Sequence, residues 1–341
     1  MSLETAWLAL LGLLLAGYFV LGGYDYGAQM LHPLLSGRDE QEDGSGAGNA
    51  ALDAIAPFFL GNEVWLVAFA GVLFGAFPHL EGTLLPGLYP LIVAILAALV
   101  LGNAAVQLRR RAGGARGRRV WDVLIVAGGA VPAVCWGLVV GLLLHGVPRR
   151  ADGSFHIGAG EVFTPFVLAC GAGTLALFAA HGAGFVALRS GPRTAGRARR
   201  AGRTLIAASG AAALAALLLT LSGAGASMTN RAAAAGVTLA LAAAFGAAWW
   251  FFSTARHARA FAATAVAAAL PVLLLGAGHY PYLLISSAGH GLDVEHAVTD
   301  EATLRILSVF GVFVVPTILA CQAVGWWVFR GRTGLRHPGY F

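Results

Sequence analysis

The sequence of 341 residues contains no lysine, and all 22 of its basic residues are arginine. Charged residues of either sign make up 11% of the chain, against about 25% in a soluble domain. That shortage excludes an ordinary soluble globule. There are three cysteines (Cys135, Cys170, Cys321), with no CxxC pair, and all fall inside apolar runs, which argues for small packing residues over a disulfide framework or a metal site. No HExxH, GxSxG or phosphate-binding loop is present, and no histidine pair at i, i+4. The alternating period-2 pattern of a membrane β-barrel is also missing.

What remains is hydrophobic: 58% apolar residues and a mean hydropathy of +0.76. A bilayer crossing needs roughly 20 apolar residues in helical form, because lipid offers the backbone no hydrogen-bond partners. Nine such segments can be read, at about 5–34, 54–77, 83–107, 121–145, 161–188, 204–222, 233–252, 260–278 and 304–329. The expected fold is therefore all-α and polytopic, a single transmembrane domain of packed helices. Residues 5–34 lack a basic leader and a clear cleavage site, so they are expected to persist as a helix. Gly and Ala are abundant in the segments, as suits close helix contacts in lipid.

The arginines set the expected orientation. "RRRAGGARGRR" (109–119), "RSGPRTAGRARRAGR" (189–203), "ARHAR" (255–259), "RGRTGLR" (330–336) and Arg38 together hold 18 of the 22. These connections share one side only if the segment number is odd. By the positive-inside rule that side is cytoplasmic, with the N-terminus outside and the C-terminus inside. The acidic stretch 37–52 then also lies inside. A net charge of +6 distributed this way flanks membrane spans and does not point to nucleic acid.

An ionisable residue inside a span is a functional candidate by default. Asp25 lies in "GGYDYGAQMLHP", Glu63 follows Asn62 in "GNEVWLVAFAGVLFGAFP", and His181 lies in "FAAHGAGFVALR". Each has two readings. Asp25 is either a carboxylate hydrogen-bonded between helices or a station on a proton path. Asn62 and Glu63 read as capping or interhelical contacts as readily as proton carriers. His181 fits a structural hydrogen bond better than an axial haem ligand, which would need a partner His or Met at similar depth. Asp53, Asp122 and Glu161 fall at segment starts, where the helix dipole favours acids.

"GGYDYGAQML" followed by "GNEVWLVAFAGVLFGAFP" resembles the first two helices of subunit II of the cytochrome bd-type quinol oxidases. The family pattern there is roughly G-[FY]-D-x-G-x-x-x-L, then G-N-[EQ]-V-W-L. "FAAHGAGFVALRSGPRTAGRARRAG", "HYPYLLISSA" and "VVPTILACQAVGWWVFRGR" are similar to later parts of the same family. The resemblance implies a bacterial cytoplasmic-membrane complex that couples quinol oxidation to reduction of O2 to water. Haems would reside in a partner, subunit I, and none in this chain. A small third subunit, and a structural quinone or lipid, are compatible with it. Trp65 would occupy a position beside a gas entrance in that family, and a packing aromatic is the plainer reading.

The chain departs from the pattern where the family usually has Trp-Asp before the G-N-[EQ]-V-W run, because Phe59 and Leu60 stand there. Gly102 and Asn103 fall where an arginine is common. A proton route that uses the lost acid does not carry over, which turns attention to Asp25 and Glu63. A stand-alone transporter and a non-catalytic paralogue of subunit II are the competing readings. The transporter would be built on inverted repeats and broken helices, and no repeat is visible.

Overall fold

The computed structural model describes residues 2–35, 50–111, 114–148, 157–286 and 291–331. Among these, nine helices are long and apolar enough to cross a membrane. They are α1 (Leu3–Leu35), α3 (Phe59–Ala76), α4 (Pro78–Leu108), α5 (Gly114–His145), α7 (Pro165–Arg189), α8 (Pro192–Leu221), α9 (Arg231–Ser253), α10 (His257–His279) and α12 (Glu301–Val328). Short helices α2 (Ala50–Ile55), α6 (Ala159–Val162) and α11 (Val294–Ala297) and one two-stranded hairpin, β1 (Tyr282–Leu284) with β2 (Leu292–Asp293), fill the connections.

Proline decides several boundaries that hydropathy misplaces. The segment expected at 54–77 is broken at Pro57: α2 ends at Ile55 and α3 begins at Phe59. A proline has no N–H for the helix ladder and clashes with the preceding turn, so the chain restarts. The segment expected from 161 likewise splits, and α7 starts at Pro165 with Thr164 as N-cap, its hydroxyl accepting from Val167 N–H. Pro78 and Pro192 stand first in α4 and α8, where the missing N–H costs nothing. As a result "RTAGRARRAGR", expected as part of a loop, forms the first turns of α8. Residues 50–52 are helical, and the acidic stretch 37–49 lies outside the described residues.

α1 is the centre of the bundle and packs against α3, α5, α7 and α10. It can be approached closely because of its small residues. A Cβ built on Gly27 would lie 2.0 Å from the Phe178 carbonyl oxygen and 2.7 Å from Gly182 N, so the backbones of α1 and α7 touch where neither has a side chain. Around that crossing sits an aromatic layer of Tyr18, Phe19, Tyr26, Trp136 and Phe178 in edge-on and stacked contacts. By contrast α12 lies on the rim, where Leu304 is its one buried residue.

The arginine-rich ends meet on one side of the bundle. Arg197 at the start of α8 reaches the Leu35 carbonyl at the end of α1, and Arg199 reaches the last carbonyls of α9, Phe252 and Ser253. Arg189, ending α7, donates to the Phe329 carbonyl beyond α12. At the opposite side the connections lock together: Ser227 N–H bonds Leu144 O at 2.8 Å, Asn230 N–H bonds Gly278 O at 2.8 Å, and Val147 N–H bonds Ile285 O at 3.0 Å.

Candidate functional site

Asp25 lies ten residues before the end of α1, about 15 Å from that end at 1.5 Å per residue. It is buried, and its Oδ2 accepts from the Asn62 side-chain amide at 2.8 Å. Its Oδ1 accepts from no group among the described residues. Asn62, four residues into α3, is fully buried and branches further. Its NH2 also approaches the Tyr24 hydroxyl at 2.7 Å and the Leu21 carbonyl at 3.3 Å. Two hydrogens cannot serve three acceptors fully, so the shorter contacts to Tyr24 and Asp25 carry the bonding.

On its other side Asn62 Oδ1 accepts from Gln322 Nε2 of α12 at 3.1 Å, and Gln322 Oε1 accepts from Trp65 Nε1 at 3.3 Å. A chain of oriented bonds thus runs Trp65–Gln322–Asn62–Asp25 across three helices. Trp65 is buried against Gly17, where an added Cβ would fall 2.2 Å from the indole ring. The geometry therefore gives Trp65 a packing place and one hydrogen bond. Glu63 points another way, accepting from Asn103 of α4 at 3.4 Å. The two residues that stand in the family's arginine region are thus used structurally: Asn103 meets Glu63, and Gly102 faces Gly128 of α5 at a backbone crossing. Leu60 is 55% exposed, so the position of the family's usual acid faces outward from this chain.

His181 is separate from the Asp25 chain. Its Nε2 lies 2.9 Å from the Val20 carbonyl and its Nδ1 2.8 Å from the Thr264 hydroxyl, and its ring stacks on Phe261 at 4.8 Å. Both ring nitrogens thus have protein partners. Among the described residues no group of three or more His, Cys, Asp or Glu could hold a metal ion. Cys135 is buried and Cys170 half-buried, whereas Cys321 is exposed on α12 and lies outside the core of this chain, which corrects its reading as a packing residue.

One cluster escaped the sequence reading. Asp122 is eight residues inside α5, where no free helix N-terminus acts on it. Arg109 Nε donates to its Oδ1 at 2.5 Å, and His32 Nε2 lies 3.8 Å from the same oxygen. Its position is thus explained by a partner from the end of α4 and one from α1, and not by the dipole. Glu161 does behave as a helix-start acid, accepting from Gly158 N–H at 2.8 Å. Gln322 escaped the sequence reading, which weighed Asn62 and Asn103 but no amide in the last span. A search for amides in otherwise apolar helices finds it.

A bundle of nine hydrophobic helices with a buried acid–amide network and no internal metal cluster among its described residues defines a polytopic helical membrane protein. Residues 3–329 match the family described as cytochrome bd terminal oxidase subunit II. The chain is 28% identical over 339 residues to cytochrome bd ubiquinol oxidase subunit 2 of Bacillus subtilis, covering 99% of this chain and 98% of that one. Against cytochrome bd-I ubiquinol oxidase subunit 2 of Escherichia coli K12 it is 31% identical over 196 residues, 55% of this chain and about half (49%) of the relative's length. The bd oxidase structure from Geobacillus thermodenitrificans shares the fold, with a TM-score of 0.72 over 97% of this chain and 100% of that one at 18% identity.

The chain belongs to the cytochrome bd terminal oxidase subunit II family. It is a subunit of an oxidoreductase complex, and the transporter reading is not favoured.

Proposed function

We propose that this chain is the haem-free subunit of a quinol:O2 oxidoreductase in a bacterial cytoplasmic membrane, paired with a haem-bearing subunit I. The observation that carries the reading is the family match over residues 3–329, continuous across all nine spans. The engagement of both His181 nitrogens supports the absence of a haem site in this chain. Its part in turnover is structural and electrostatic: it completes the dimer and supplies the buried Asp25–Asn62 network on the arginine side of the bundle. Quinol oxidation and O2 reduction occur in the partner. A structural quinone or lipid, and a small third subunit, are compatible with this role.

The arginine side is cytoplasmic in this reading, with the N-terminus outside. The sharing of one side by the ends of α1, α4, α7, α9 and α12 supports it, since one orientation places every arginine-rich connection inside. The test is co-expression with and without subunit I. The chain alone should show no Soret band, and the co-purified complex should show one and consume O2 with quinol. Stoichiometric haem on the isolated chain would end the haem-free assignment. For orientation, a cysteine at Arg193 should be labelled by an impermeant thiol reagent only after the membrane is opened. Labelling in intact cells would reverse the topology.

A further inference from the structure

The α8–α9 junction carries a positive surface away from the Asp25–Asn62 network. Arg199, Gly202 and Arg203 lie on one face of α8 and seat the end of α9. Arg199 holds the Phe252 and Ser253 carbonyls at 3.3 and 3.2 Å. A Cβ on Gly202 would meet the Phe252 ring at 2.6 Å, so that ring sits directly on the glycine. The Arg203 guanidinium stands 6.0 Å over the Trp249 ring. The tight turn that follows, with Ala255 at φ 56°, delivers Arg256 and then Arg259 to the same end.

Arg203, Arg256 and Arg259 are exposed and have no carboxylate partner among the described residues. Trp249 and Trp250 beside them are 45% and 57% exposed, as suits indoles at a membrane–water boundary. Eleven residues beyond Arg203, close to three helical turns and about 16 Å along the axis, Leu214 continues the same face of α8 and is 55% exposed. The neighbouring helix adds Leu239, 71% exposed. A fixed cationic head therefore sits directly above an apolar track.

We propose that this junction is a binding site for an anionic phospholipid of the adjoining leaflet. The phosphate lies against Arg203, Arg256 and Arg259, the glycerol region against Trp249, and an acyl chain along Leu214. Charge complementarity selects an anion, and the apolar track below selects a lipid over a soluble phosphate. The site requires that the chain span a bilayer and is independent of its oxidase role.

The experiment is native mass spectrometry on the intact, delipidated complex with its partner subunit, titrated with phosphatidylglycerol or with phosphatidylcholine. Phosphatidylglycerol is expected to bind more tightly, and Arg203→Gln and Arg256→Gln should each weaken it about fivefold, the effect of one basic residue near an anionic surface. Arg116→Gln, an exposed arginine elsewhere on the same side, should change nothing. The thermal midpoint without lipid verifies folding, and Arg256→Gln carries the test if Arg203→Gln fails to assemble. Equal binding of the two lipids, or unchanged binding in both variants, would overturn the proposal. So would displacement of phosphatidylglycerol by millimolar inorganic phosphate, which would mark a simple anion site, or a cross-link from position 203 to the partner subunit.

Discussion

The side-chain amide of Asn62 donates to Oδ2 of Asp25 at 2.8 Å, so the one acid buried in α1 is held by an amide from α3. An ionised carboxylate at the bilayer centre costs about 2.5–3.5 kcal/mol on insertion scales. One donor on Oδ2, with none on Oδ1 among the described residues, offsets only part of such a cost.

That arrangement predicts different outcomes for two substitutions. If Asp25 handles protons, Asp25→Asn should keep assembly and haem content of the complex while lowering turnover, because the amide retains polar contacts and removes the exchangeable acid. Asp25→Leu should impair assembly in either case, because it removes the polar contact between α1 and α3 and puts a branched apolar side chain against the buried Asn62 amide. Oxygen consumption normalised to haem separates the two roles. Wild-type turnover in Asp25→Asn would leave Asp25 as a structural contact.

The Asn62–Gln322 bond joins α12 to the bundle together with Trp7 Nε1 to the Ser308 hydroxyl at 3.1 Å, Trp65 to Gln322, and the packing of Trp326 on Tyr24, Phe58, Phe185 and Phe261. Interhelical side-chain bonds in membranes average about 0.6 kcal/mol with a maximum near 1.7. A double-mutant cycle with Asn62→Ala and Gln322→Ala, read from unfolding of the complex, should give a coupling in that range. A coupling indistinguishable from zero would show that the bond does not secure the helix.

Gly27 and Gly12 lie on the same helix, and only one of them tolerates a side chain. Gly27→Val drives a Cβ to 2.0 Å from a backbone oxygen of α7, which cannot move aside as a side-chain tip could, so the yield of assembled complex should collapse. A Cβ added at Gly12 would meet nothing within 4 Å, and Gly12→Val should assemble normally. Size-exclusion profiles of the two variants make the comparison.

Outside the membrane, the hydrogen bond from His296 Nδ1 to Asp293 Oδ1 at 2.7 Å raises the His296 pKa. Bonds from the His296 backbone N–H and ring lower that of Asp293. The raised histidine favours the pair at low pH, and this contribution fades as pH rises through the His296 midpoint. The lowered acid favours it at higher pH, and its contribution is lost as pH falls through the Asp293 midpoint. The pair is thus strongest between the two. Asp293→Asn should move the His296 midpoint downward, measured by the pH profile of imidazole acylation at this residue. His296 is exposed and Asp293 half-buried at the surface, and Asn keeps the side-chain oxygen that caps α11, so assembly should be unaffected.

Much of this architecture is legible in the sequence because a bilayer imposes a simple rule. A crossing helix needs a long apolar run, and nine runs are visible. Asp25, Glu63 and His181 are equally visible, since an ionisable group in such a run stands out. Hydropathy averaging blurs the boundaries at Pro57 and Pro165, although proline's missing N–H marks both. Asp122 is misplaced when a segment start is inferred from apolarity alone. α5 begins at Gly114, well before its apolar part, and places the acid inside the helix.

The sequence by itself determined the membrane habit, the helix number and the common side of the arginines, because these depend on hydrophobic length and charge along the chain. Tertiary structure alone decided which polar groups meet. Asp25 and Asn62 are 37 residues apart and Asn62 and Gln322 are 260 apart, so their bonds exist only once α1, α3 and α12 have packed. Helix geometry already turns Glu63 about 100° from its neighbour Asn62, but only packing decided that Glu63 meets Asn103 of α4 while Asn62 meets Asp25 and Gln322.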